Sequence, residues 1–346
     1  MEKIRIGIIG SGFMGRTSAE TITRYLPDAE LVAIAGGSRA PALAKDYGVA
    51  CEPTVSGLLA RGDIDAVFIH SPHSDHAVQA IEAARRGKHI LLDKPMATTV
   101  ADCDRILEAT RRANVNLMIA FGQRFRVCNI VARQLIREGK IGQVKMIQER
   151  MLNVGGLASL PPWQSRPENL GVLFGHAVHN IDRIRWLTGE EITSVAARVE
   201  HDEKSGNEIS TMALFGLSSG AMASLWESWD IPEPGIPRSG CSAWIVGETG
   251  ILDLDAYGLL RLGQAGTWST MAEQAPIDWK GKGMLDPERM ESYRLQGEEF
   301  LSSIWEARPP SATGEDGRAA VEVALAAYQS AAEERTIKLR KQQAAL

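Results

Sequence analysis

Ile4-Arg5-Ile6-Gly7-Ile8-Ile9-Gly10-Ser11-Gly12-Phe13-Met14-Gly15 lies near the start of the chain. Its first six residues form a short apolar run, which reads as a buried strand of a parallel sheet. A glycine turn follows, then a helical stretch to about Tyr25. In this strand–turn–helix setting each glycine has a mechanical use. Gly10 permits the tight turn, Gly12 lets a pyrophosphate approach the backbone, and Gly15 lets the helix pack on the strand. Exposed N–H groups around Phe13 and Met14, with the helix dipole, would hold the phosphates. A glycine turn of purely structural use is the alternative.

Working outward, strand-like and helix-like segments alternate through the first 120 or so residues. Leu31–Ala35 reads as a second strand, and Pro41–Tyr47 as a helix ended by Gly48. Ala66–His70 is a third strand and His76–Arg86 a helix stopped by Gly87. His89–Leu92 is a fourth strand. Thr99 and Asp102 resemble a capping box that opens a helix to Ala113, and Leu117–Phe121 is a fifth strand. Repeated units of this kind predict an α/β domain of the Rossmann type over residues 1–122.

The pattern changes after residue 122. A helix at Ile130–Glu138 precedes a strand near Gln143–Leu152, and a loop rich in Gly, Pro and Ser runs to Gly171. A helix is expected from about Gly175 to Leu187. Strand-like runs follow at Ile192–Glu200, Glu208–Phe215, Ala221–Trp229 and Cys241–Val246. Helices return near Pro287–Trp305 and Arg318–Arg335. Strands joined by short turns predict an α+β domain over 123–346 with a mainly antiparallel open sheet.

The chain has 346 residues, of which 44% are hydrophobic and 23% charged, with a net charge of −5. This composition suits two globular cores and gives no reason to expect a nucleic-acid or anionic-membrane partner. The four cysteines, at 51, 103, 128 and 241, form no C-x-x-C pair and sit at no zinc-ligand spacing. Neither a disulfide framework nor a metal is expected. No run of about 18 apolar residues occurs, so a cytoplasmic location is the simplest expectation.

The second strand leads into Gly36-Gly37-Ser38-Arg39, with no acidic residue to grip the 2′-hydroxyl of NAD. Ser38 and Arg39 can instead receive a 2′-phosphate, so NADP is the expected cofactor, with NAD possible. A solvated loop arginine is the alternative.

The glycine turn, Ser71-Pro72-His73-Ser74-Asp75-His76 and Gly87-Lys88-His89-Ile90-Leu91-Leu92-Asp93-Lys94-Pro95 together resemble the Gfo/Idh/MocA oxidoreductases. The resemblance extends over nearly the whole chain and implies a nicotinamide-dependent oxidoreductase acting on a sugar, polyol or dihydrodiol. It implies that Lys94 is the catalytic lysine, with Asp93 near the cofactor ribose. The residues themselves agree. Lys94 follows a strand's C-terminal end, where ligands bind in open α/β sheets, and its ammonium can polarise a carbon–oxygen bond. Ser71, Pro72, His73 and His76 would face the cofactor, although histidines at a helix start can also be structural.

Gly171 to Asp182 looks like the family's histidine-bearing stretch, with His179 on the catalytic histidine and Asp182 on a later aspartate. Near a helix N-terminus His179 would stay neutral and accept a proton. The chain departs from the family pattern at Gly175, where the family has an aspartate. His176 and Arg183 share a helical face with His179, and one or the other would take that aspartate's part by contacting an acidic substrate. Gln123 is expected near the cofactor. Arg124, Trp163 and Arg166 are expected substrate contacts, while Trp226, Trp229 and Trp244 suit sheet packing or a subunit interface. A homodimer or homotetramer through the second domain's sheet is expected. Two further readings stay open. One is a glycosidase or lyase of the same superfamily that recycles its NAD. The other is a non-catalytic dinucleotide-binding regulator.

Overall fold

The computed structural model describes residues 2–156, 160–164, 166–169, 171–236, 239–279 and 281–339. The chain divides into two compact units, Met1–Phe125 with Ile277–Arg318, and Arg126–Pro276 with Ala319–Leu346.

The first unit is built on a six-stranded sheet. Its strands are β1 (Ile4–Ile9), β2 (Ala29–Ala35), β3 (Ala50–Cys51), β4 (Ala66–Ile69), β5 (His89–Leu92) and β6 (Leu117–Ile119). Their spatial order is β3-β2-β1-β4-β5-β6, and every pairing is parallel. Ile6, Ile8 and Ile9 are fully buried, as expected of a strand covered on both faces. Strand order reverses between β1 and β4, so the chain leaves these neighbouring strands in the crevice where such sheets bind ligands. The helices are α1 (Phe13–Glu20), α2 (Ala40–Tyr47), α3 (Val55–Ala60), α4 (His76–Arg85) and α5 (Val100–Ala113). The Thr99 cap forms as expected, its hydroxyl oxygen accepting from the Asp102 N–H at 3.1 Å. Strand β3 and helix α3 were not anticipated, because two and six residues are too few to display a period.

The second unit holds α6 (Val127–Arg137), α7 (Val178–Thr188) and a nine-stranded sheet. Its strands are β7 (Val144–Val154), β8 (Ile192–His201), β9 (Glu208–Leu217), β10 (Met222–Ile231), β11 (Cys241–Gly247), β12 (Ile251–Asp255), β13 (Leu259–Gln264), β14 (Thr267–Glu273) and β15 (Ile337–Lys338). The order is β14-β13-β12-β11-β7-β10-β9-β8-β15. All pairs are antiparallel except β7 with β10 at the centre. Beyond β11 the strands are not marked in the sequence. Strand β14 is almost wholly exposed and lacks the apolar alternation that marks a strand.

Helix α8 (Pro287–Trp305) belongs to the first unit, although the sequence boundary at 122/123 put it in the second. Phe300 meets Phe68 edge-on at 5.5 Å, and Asn116 donates to Ser303 Oγ at 3.0 Å. Helical periodicity shows that a face is buried but not which core buries it. Helix α9 (Gly314–Glu333) follows. Among the described residues no helix is long and apolar enough to cross a membrane.

Candidate active site

In the first unit, Gly10 holds φ at +108°, in the region that favours glycine. A Cβ on Gly10 would strike the His70 carbonyl, and one on Gly15 would strike the Gly10 carbonyl. These two glycines are therefore required by close backbone approach. Gly12 is different. It is the N-cap of α1 and makes no side-chain cap. The nearest atom to a Cβ there would be Arg39 Nη2, at 3.4 Å. The turn thus presents uncapped helix amides over a surface with no side chain, beside a guanidinium. The groups present fit a dinucleotide pyrophosphate. Ser38 and Arg39 are exposed, as is Phe13. The guanidinium of buried Arg289 lies 4.5 Å from the Phe13 ring centroid.

The neighbouring turn after β4 carries Ser71, Pro72 and His73. Ser71 Oγ donates to Gln79 at 2.7 Å. His73 is buried, and its ring meets that of His76 at 5.9 Å. His76 is wholly buried between two backbone carbonyls, with Nδ1 2.8 Å from Pro95 O and Nε2 3.0 Å from Ser71 O. Burial pushes its pKa below the usual histidine value, although the Asp93 charge and the two carbonyls oppose the shift. His76 therefore ties the Ser71 turn to the Lys94–Pro95 segment rather than offering a free ring to a ligand.

Lys94 is half-buried just beyond the end of β5. Asp93 accepts the Lys94 backbone N–H on Oδ1 at 2.8 Å, and His70 Nδ1 lies 3.1 Å from Oδ2. Burial alone would raise the Asp93 pKa. The His70 hydrogen bond and charge, with Lys94 and His76, outweigh that and hold the carboxyl well below the usual range. From the sequence alone His70 is only the end of a strand. Gln123 is buried in the turn Gly122–Phe125 that follows β6. Arg124, expected to touch substrate, is buried instead. It pairs with Asp316 at 3.0 Å and donates to the Ser311 carbonyl. Those bonds secure the segment leading into α9.

In the second unit, helical winding begins before α7, with a wide turn at Leu173–Ala177. Its first N–H groups meet a carboxylate, since Leu173 N donates to Glu208 Oε2 at 3.1 Å. Tyr328 OH donates to the same oxygen at 3.0 Å, and Thr211 to the other. Burial still pushes the Glu208 carboxyl pKa up. His179 therefore lies beyond the first turn, and a carboxylate already sits at the helix start. The expectation that the helix dipole keeps His179 neutral loses its basis, because that effect fades within one turn.

The expected roles of Arg183 and His176 also change. Arg183 is fully buried and paired with fully buried Glu149 through Nε at 2.9 Å and through Nη2. Asn180 donates to the same carboxylate at 2.9 Å. Removing one partner of such a pair costs about 3–5 kcal/mol, so Arg183 anchors the helix and is not a substrate contact. His176 remains partly open, at 20% side-chain exposure, with Nδ1 3.3 Å from Glu227 Oε1. The Trp229 indole N–H points at the same ring, 2.9 Å from Nδ1. A Cβ on Gly175 would fall inside the Trp229 indole. No aspartate fits at 175 because tryptophan fills that space, and buried Glu227 brings a carboxylate to the neighbouring histidine. His179 is half-buried, and its Nδ1 atom is buried. Asp182 is fully buried. Trp163 is half-buried, with its carbonyl accepting from Asn169 at 2.9 Å, and Arg166 is exposed. The inward glutamates were missed, yet Ile147-x-Glu149 and Leu225-x-Glu227 place each on the parity of buried neighbours.

Residues 4–121 match the family model described as "Oxidoreductase family, NAD-binding Rossmann fold", and residues 130–253 match the "GFO/IDH/MocA C-terminal domain". The chain belongs to the Gfo/Idh/MocA oxidoreductases, as the Rossmann sheet, the glycine turn and the Asp93-Lys94-Pro95 corner already indicate. Inositol 2-dehydrogenase 2 of Saccharopolyspora erythraea is 31% identical over 56% of each chain. Inositol 2-dehydrogenase of Rhizobium meliloti is 29% identical over 97% of this chain and 99% of that one. Among solved structures, aldose–aldose oxidoreductase from Caulobacter crescentus, complexed with glycerol, superposes with a TM-score of 0.82. It has 25% identity and covers 98% of this chain and 100% of its own.

Gly175→Asp should destabilise the protein by roughly 1–3 kcal/mol through overpacking against Trp229. In urea unfolding, Gly175→Asp combined with Trp229→Ala should lose less than the two single variants summed. Strictly additive losses would contradict the packing account of Gly175.

Proposed function

We propose that this oxidoreductase interconverts a secondary alcohol and a ketone on a sugar or cyclic polyol, with NADP preferred over NAD. The reading is carried by the corner after β5. There a half-buried, ionised Asp93 holds the Lys94 backbone at a strand end, in the same unit as a glycine turn that fits a pyrophosphate. The relatives' names as inositol dehydrogenases support a cyclic polyol as substrate.

The bound nicotinamide supplies the hydride acceptor or donor. Gly10 to Gly15 would hold the pyrophosphate, Ser38 and Arg39 a 2′-phosphate, and Asp93 a ribose hydroxyl. Lys94 hydrogen-bonds the reacting oxygen through Nζ and polarises its bond to carbon. His179, with Nδ1 buried, takes the hydroxyl proton on Nε2 in oxidation and returns it in reduction. Glu149, Asn180 and Arg183 keep its helix from shifting. The Trp229 indole N–H holds the ring of His176, which contacts substrate beside it.

The second unit's sheet is proposed to form a homodimer or homotetramer interface. Met212, Leu214, Met222 and Trp226 are 63%, 64%, 59% and 42% exposed. Register pairs Trp226 with Met212 and Met222 with Met146, so one sheet face carries a contiguous apolar patch.

Lys94→Ala should leave dinucleotide binding intact and abolish turnover, with the loss chiefly in kcat. A variant with normal turnover would remove Lys94 from the chemistry. Arg39→Ala should weaken NADP binding by roughly 1.5–3 kcal/mol, the scale of a hydrogen bond to a charged group, and leave NAD nearly unchanged. Equal losses for both would defeat the cofactor assignment. Sedimentation at micromolar concentration should find a dimer or tetramer, and a monomer would overturn the interface.

A further inference from the structure

Ser18, His70 and Asp93 come from α1, the end of β4 and the end of β5. Ser18 Oγ lies 2.7 Å from His70 Nε2, and His70 Nδ1 lies 3.1 Å from Asp93 Oδ2. The order serine–histidine–aspartate invites comparison with a hydrolytic triad, but its setting excludes that use. Ser18 is buried within α1, and the His70 side chain is 1% exposed, so no substrate carbonyl can reach the hydroxyl.

The proton arrangement follows from the acceptor. An ionised carboxylate only accepts, so His70 Nδ1 carries a proton and donates it to Asp93, whatever the charge on the ring. That bond occupies Oδ2. Oδ1 then faces the backbone N–H of Lys94, which donates to it at 2.8 Å. Each end of the carboxylate therefore has one fixed donor, and the carboxylate plane determines where the chain turns out of β5 at the lysine. The edge-on contact of His70 with Phe68, at 6.4 Å, restricts the ring from the side.

We propose that His70 is a positioning residue for Lys94. By holding one oxygen of Asp93 it aims the other at the Lys94 amide. Through Ser18 it ties that geometry to α1, the helix whose N-terminus carries the glycine turn. The effect on catalysis rests on the reading of Lys94 as the catalytic lysine. The geometric coupling does not.

The experiment uses the full chain and two readouts. Amide hydrogen exchange at Lys94, followed by NMR, reports the bond to Asp93 directly. His70→Phe keeps a ring and removes both nitrogens, so protection at Lys94 should fall about tenfold while the β5 amides of Leu91 and Leu92 stay protected. His70→Asn places an amide nitrogen near the position of Nδ1 and should restore protection at Lys94. Turnover of myo-inositol is the second readout. His70→Phe should lower kcat by about 10- to 100-fold with little change in KM, and His70→Asn should recover most of it. Unchanged Lys94 protection in His70→Phe would overturn the proposal. So would equal loss at Leu91 and Leu92, which marks a general loosening of the strand. Ser18→Ala, which keeps the His70–Asp93 bond, should leave Lys94 protection within about threefold and guards against misfolding of the ring variants. If protection behaves as expected but Lys94→Ala still turns over substrate, the catalytic reading of Lys94 fails and the coupling stands.

Discussion

A carboxylate taken out of water must be met by donors, and this constraint positions helix α7. Glu149 on β7 holds Asn180 and Arg183. Glu208 at the start of β9 receives the first N–H of the helical winding. Glu227 on β10 lies 3.3 Å from Nδ1 of His176, the ring to which the Trp229 indole N–H points. These three strands lie side by side as β7-β10-β9 at the centre of the sheet. The helix bearing His179 is thus held at its start by Glu208, and at Asn180 and Arg183 by Glu149. Apolar packing alone would let such a helix slide or roll, whereas charge-assisted hydrogen bonds fix both its height and its rotation.

The first unit uses the same physics. Asp93 is half-buried and stays ionised, with His70 and the Lys94 amide as donors in place of much of the water. His76 bridges two carbonyls and holds the Ser71 turn against Pro95. His70 and His76 therefore shape the corner from within, while Asp93 and Lys94 are the corner residues proposed to meet a ligand. This separation accounts for the number of buried polar groups around a site whose chemistry needs few.

The parallel sheet, the glycine turn and the Asp93-Lys94-Pro95 corner were legible in the sequence because local rules determine them. An apolar run flanked by glycine makes a buried strand, and G-x-G-x-x-G fits one turn geometry. The family and its oxidoreductase class were legible for the same reason. What was not legible depended on long-range partners. His70 reads as a strand end until Ser18, 52 residues away, and Asp93, 23 residues away, close around it. Arg183 sits on the expected helical stripe, but periodicity could not say that Glu149 lies beneath it. Gly175 reads as a missing aspartate until Trp229 is seen to occupy its place. The parity of Glu149 and Glu227 with buried neighbours was the one signal available for the inward carboxylates.

Isotope transfer shows whether the chain moves hydrogen from a polyol or sugar carbon to a nicotinamide. The protein would be incubated with NADP and, in turn, carbon-deuterated myo-inositol and carbon-deuterated aldoses, and the dinucleotide then analysed by mass spectrometry. Reduced dinucleotide carrying one deuterium taken from the substrate carbon is the expected product. Dinucleotide that binds tightly yet remains oxidised and unlabelled with every substrate would contradict the proposed transfer.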